Sequence, residues 1–128
     1  MSGNRYVLDT NAVIQLLKGN TEVLHLISGS DFLAISVITQ LEFLGFAGIS
    51  YEDELLFTAF KERVEVIDVA ASDSALMESI ASLRVNTSLK LPDAIIFATA
   101  RSVDAILITA DAKLLSSLGE QGRGYNPV

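Results

Sequence analysis

Arg5-Tyr6-Val7-Leu8-Asp9-Thr10-Asn11 changes character within a few residues. Its first part is a short apolar run of the kind buried in a parallel sheet, and it ends on a carboxylate. Thr10 then suits a helix cap, with a helix expected over about residues 11–18 and closed by Gly19-Asn20. The same alternation recurs along the chain. Further strands are expected at 32–36, 64–69 and 105–109. Helices are expected at 21–28, about 37–47, from Ser50 onward, 72–83, 92–103 and 112–118. A polar connection at 85–90 and a Gly-rich tail at 119–128 complete the reading. Short apolar strands alternating with helices imply an α/β fold whose mainly parallel sheet is covered on both faces.

With 128 residues, half of them hydrophobic, the chain has enough apolar material for one domain, 1–128, with a real core. No uninterrupted apolar run is long enough to suggest a membrane span. The start, Met1-Ser2-Gly3-Asn4-Arg5, lacks the charged-then-apolar pattern of a signal peptide, so a cytoplasmic protein is expected. The absence of cysteine excludes disulfides, thiolate metal sites and a cysteine nucleophile. His25 is the only histidine, which leaves no basis for a histidine triad. A net charge of −7, spread over both halves, argues against a broad nucleic-acid-binding surface. It still permits a local, metal-bridged contact to phosphate.

Acidic residues stand out against these apolar stretches: Asp9 after the first strand, Glu42 in Thr39-Gln40-Leu41-Glu42, Asp93 in Leu91-Pro92-Asp93-Ala94, and Asp111 in Ile108-Thr109-Ala110-Asp111. Singly, Asp9 and Asp111 read as helix caps, and Asp93 as an acid favoured by a helix dipole. Glu42, expected near the start of a largely buried helix among Leu41, Phe43 and Leu44, is the hardest to dismiss, because an unpaired buried carboxylate is costly. In an open parallel sheet, sites form beyond the carboxyl ends of strands. Asp9 and Asp111 follow such ends, and helix starts bring Glu42 and Asp93 to the same edge. Four acids there suggest a divalent-cation site, with Thr10, Asn11 and Thr109 as supporting polar groups. Arg84 and Lys90 flank the Asp93 helix as candidate phosphate contacts.

The helix after Ser50 is expected to present Leu55, Leu56, Ala59 and Phe60 on one apolar side. Phe43, Phe46, Phe57 and Phe60 fit core packing or the cover of a partner subunit. A receiver-like signalling domain would place a phosphoacceptor after the third strand, where Asp68 stands, but the last strand supplies no lysine at its end. An Asp-x-Asp phosphatase fails at Asn11.

In order and spacing, Asp9-Thr10-Asn11, the segment Ser36-Val37-Ile38-Thr39-Gln40-Leu41-Glu42, Pro92-Asp93-Ala94-Ile95-Ile96, and Thr109-Ala110-Asp111 resemble the PIN-domain family, and within it the VapC-type toxins of toxin–antitoxin pairs. The resemblance runs from about Arg5 to Leu118. It implies a three-layer α/β/α sandwich and a metal-dependent endoribonuclease that hydrolyses RNA phosphodiesters with a metal-activated water. Asp9, Glu42, Asp93 and Asp111 would bind one or two magnesium or manganese ions, and Thr109 would be the hydroxyl of the last motif. It further implies a homodimer, inhibited by an antitoxin that covers the active site and supplies the DNA-binding half, so that this chain does not itself bind DNA. Phe97 and Ala110 depart from residues frequent at those positions of the family. The rival within the same fold is a protein that binds RNA or partners without cutting.

Overall fold

Arg5–Leu8 (β1) lies at the centre of the sheet, paired in parallel with Phe32–Ser36 (β2) on one side and Ile106–Ile108 (β4) on the other. In a computed structural model, which describes residues 4–127, Glu65–Ile67 forms β3 and Gly122–Arg123 forms β5. The five strands run in the order β3-β2-β1-β4-β5 with every pair parallel. Met1, Ser2 and Gly3 of the signal-peptide reading, and Val128 of the expected tail, lie outside the described residues.

Side-chain alternation along β1 builds the layers. Val7 packs with Leu76, Ile80 and Leu83 of Ser74–Asn86 (α5), Ala94 and Phe97 of Leu91–Ser102 (α6), and Leu114 of Ala112–Leu118 (α7). Tyr6 and Leu8 face the other way. They meet Val13 of Thr10–Leu17 (α1), Val23 of Thr21–Ile27 (α2), Phe43 of Val37–Leu44 (α3), and Phe57 and Phe60 of Tyr51–Lys61 (α4). Two cores back to back on one sheet make the α/β/α sandwich. No helix of the described residues is long and apolar enough to cross a membrane.

Several boundaries differ from the sequence reading. Of the two cap candidates at the start of α1, Asp9 rather than Thr10 takes the position: its carboxylate accepts from Ala12 N at 2.8 Å. Helix α3 ends at Leu44 with Gly45 as its cap, short of the expected 47, so Glu42 sits near its end. Helix α5 runs on to Asn86, into the expected polar connection, and Thr87 Oγ1 closes it on Leu83 O. On α4 the buried residues are Phe57 and Phe60, whereas Leu55, Leu56 and Ala59 are exposed. Phe57 wins the inner position because its ring stacks on Phe43, with centroids 4.3 Å apart.

The expected tail contains a strand. A Cβ at Gly122 would stand 2.9 Å from the Leu118 side chain, so glycine there allows a close approach rather than a loose end. That approach lets β5 pair with β4, Leu107 opposite Gly122 and Ile108 opposite Arg123.

Candidate active site

β1 and β4 are neighbours, while the chain leaves them toward opposite edges of the sheet: β2 and β3 on one side, β5 on the other. Their carboxyl ends therefore open a crevice between diverging connections. Asp9 follows β1 directly, and its N–H donates to Ile108 O at 3.2 Å, which locks the two strand ends together. Thr109, fully buried, hydrogen-bonds the Asp9 carboxylate. Its Oγ1 also accepts from Asp111 N at 3.1 Å. Asp111 caps α7 by accepting from Leu114 N at 3.0 Å.

Glu42 arrives from α3 and is tied to α1. Thr10 Oγ1 donates to Glu42 Oε1 at 2.5 Å. The Thr10 proton is thus committed, so Thr39, 3.3 Å away and fully buried, supplies the proton of the Thr10–Thr39 bond. Asp93 sits in the first turn of α6, after Pro92. Asp9, Thr10, Asn11, Glu42, Asp93 and Asp111 line one pocket of about 450 Å³, completed by Ile96, Ala110 and Pro127.

The burial ranking differs from the one expected. Glu42 is exposed, because the short α3 turns only Thr39 and Phe43 fully inward. Asp9 is the buried carboxylate, 8% exposed. Burial pushes its carboxyl up to about 6; the Thr109 and Ala12 hydrogen bonds pull it back, and the charges of Asp93 and Asp111 add to the rise. Asp93 is also raised, first by burial and then by Asp111 and Glu42, with Lys90 and Lys113 opposing. Through these repulsions all four acids lie within electrostatic reach of Asp93 or Asp9.

Among the described residues, no three acidic side chains are drawn together into a ready-made metal cage. The charged donors of the pocket are carboxylates, with no histidine or cysteine in its lining, a set that fits a hard cation such as magnesium or manganese over zinc.

Of the basic residues expected near phosphate, Lys90 holds the cap position of α6 and acts on Asp93. Arg84 lies exposed near the end of α5 and is not part of the pocket lining. Lys113, anchored on Ser88 O at 2.9 Å, is a second base beside Asp93 that the sequence reading passed over. Thr39 and Tyr125 were also missed. Thr39 stands three residues before Glu42, on the same helix face, which is a readable signal. Tyr125 offered none, because its segment read as a tail.

The pattern of the family described as "PIN domain" matches residues 6–119. Among solved structures, a toxin–antitoxin complex from Klebsiella pneumoniae is 29% identical with a TM-score of 0.75, covering 96% of this chain and 98% of that one. VapBC2 from Rickettsia felis, bound to a DNA fragment from its promoter, is 21% identical with a TM-score of 0.77, over 94% and 98%. A VapBC-5 member of the VapBC toxin–antitoxin systems from Mycobacterium tuberculosis is 20% identical with a TM-score of 0.62, over 96% and 98%. No curated protein matches the chain.

Proposed function

The chain belongs to the PIN-domain family, and from that membership and its acidic pocket we propose that it is a metal-dependent endoribonuclease, the toxin of a VapBC-type pair. The observation that carries this reading is the meeting of Asp9, Glu42, Asp93 and Asp111 around one pocket at the carboxyl edge of the sheet. One or two magnesium or manganese ions bound there would supply an acidified water and offset charge on a phosphodiester.

The chain's own residues prepare the pocket for that task. Thr109 holds the Asp9 carboxylate, and Thr10 holds Glu42, so two of the acids are restrained before any ligand arrives. Lys90 and Lys113 place positive charge beside Asp93, where a phosphate would approach. The chain as a whole carries a net charge of −7, so attraction for nucleic acid rests on such local bases rather than on the overall surface.

A protein partner is supported by an apolar surface. Leu41, Leu44, Phe46, Tyr51, Leu55 and Leu56 are all exposed on and between α3 and α4. Beside them, Ile14, Leu17, Phe43 and Ile49 line a groove of about 220 Å³. So many exposed apolar side chains on two successive helices are the kind of surface that marks interaction sites. We assign it to the antitoxin, reaching over the neighbouring acidic pocket, and to homodimer contacts.

The test is incubation of purified, antitoxin-free protein with structured RNAs, with and without magnesium. Metal-dependent cleavage, lost in Asp93→Asn, is expected. Cleavage that survives a chelator overturns the metal reading, and RNA binding without cleavage favours the non-catalytic rival. Growth arrest on expression, relieved by the product of an adjoining gene, tests the toxin assignment.

A further inference from the structure

The segment after β5 is pinned at both ends. At its start, Arg123 O accepts from Thr109 N at 3.1 Å, beside the pocket. At its end, Asn126 O accepts from Asn20 Nδ2 at 2.9 Å, and Asn126 N donates to Glu22 Oε1 at 3.0 Å. Asn20 is the cap of α2 and Glu22 lies in its first turn, so the strap's backbone is anchored on two side chains of an ordered helix start. Pro127, just beyond, lines the acidic pocket.

Between the pins, Tyr125 turns inward and is 7% exposed, packed in the core that contains Tyr6, Leu8, Ala12 and Val13. A phenylalanine would fill the same space without a hydroxyl to satisfy, and burying a hydroxyl is costly unless it is bonded. The Tyr125 hydroxyl accepts from Asn11 Nδ2 at 3.2 Å. Asn11 itself is exposed on the first turn of α1 and lines the pocket, where an unrestrained amide would sample several rotamers. With its amide nitrogen held by Tyr125, its carbonyl oxygen is left for the pocket.

We infer that Tyr125 is a positioning residue: the carboxy-terminal strap delivers its hydroxyl to Asn11, which then offers a neutral hard oxygen alongside the four carboxylates. This rests on the cation reading of the pocket, and it gives the tail a role in the site. An uncharged acceptor adds a hydrogen-bond partner for a hydrated cation without adding to the repulsion among the acids.

The test uses the full chain and Mn2+ as the probe. In metal-free protein, cross-relaxation is expected between the Asn11 side-chain NH2 protons and the Tyr125 ring, a measurement that needs no variant. Tyr125→Phe should move the Asn11 NH2 resonances toward solvent-exposed values and weaken Mn2+ binding by roughly tenfold, as loss of an orienting partner does. Asn11→Ala, an exposed substitution that leaves the core intact, should weaken it similarly. The double variant should be no weaker than Asn11→Ala alone. Unchanged Asn11 resonances, wild-type Mn2+ affinity in Tyr125→Phe, or additive losses overturn the inference and leave the ribonuclease proposal intact. A wild-type chain without Mn2+ binding overturns both. Coupled Mn2+ losses in a protein that cuts no RNA support the inference and overturn only the ribonuclease reading.

Discussion

Thr109 hydrogen-bonds the carboxylate of Asp9 while its oxygen accepts the Asp111 N–H, so one buried hydroxyl ties the ends of β1 and β4 to two acids of the pocket. Thr109→Val keeps the shape and deletes the hydroxyl. The Asp111 N–H then loses its acceptor and Asp9 loses a bond that holds its acidity. The expected result is a destabilisation of about 1–3 kcal/mol and a further rise in the Asp9 titration midpoint. Chemical denaturation and a carboxyl NMR titration check the two effects separately.

The raised carboxyl of Asp9 fixes the sign of the pH dependence without metal. A folded-state value of about 6 against 3.8 unfolded means that the native state binds the proton more tightly. Stability is therefore fullest below the unfolded value and is lost as pH rises from about 4 to about 6. The contribution is at most about 3 kcal/mol. The raised Asp93 acts in the same direction. Denaturant melts in chelator across that window should fall with pH, and Asp9→Asn, which keeps an acceptor for Ala12 N, should flatten the curve. Divalent cation should reverse the trend, because it favours the ionised form.

Asp93→Asn separates stability from function. Removing the charge relieves repulsion from Asp111 and Glu42, so the metal-free variant should melt no lower than the parent. Cleavage should drop by about a hundredfold or more, the scale seen when a charge-stabilising group leaves an active site. Calorimetry beside a magnesium-dependent cleavage assay reads both outcomes. A variant that is less stable and still active overturns the assignment of Asp93 to the pocket's cation chemistry.

The sheet was legible because strand burial and helix caps are local signals. Phe32–Ser36 and Ala112–Leu118 fall where the sequence puts them, and all four acids come to the expected edge. Register and depth were less so. Glu42 reads as buried because its neighbours are apolar, yet Leu41 and Leu44 are themselves exposed, on a surface suited to a partner. Strand β5 is only Gly122–Arg123, and nothing in a glycine-rich tail announces pairing with β4 or a buried tyrosine after it. Those features depend on tertiary contacts, which periodicity does not encode.

Helix α4 offers the sharpest contrast between an apolar residue that builds the core and one that does not. Phe57 is fully buried and stacked on Phe43, whereas Leu56, its neighbour in sequence, is 48% exposed. Phe57→Ala should cost about 3–5 kcal/mol through lost burial and the cavity left behind. Leu56→Ala should stay within about 0.5 kcal/mol in the isolated chain, as exposed substitutions do. Its effect is expected instead on partner binding, as a weaker complex with the antitoxin. Thermal melts of the two variants, followed by a titration of Leu56→Ala with the co-expressed partner, check both halves. A Leu56→Ala chain as unstable as Phe57→Ala would show that this side of α4 is core, and would remove the apolar surface on which the partner assignment stands.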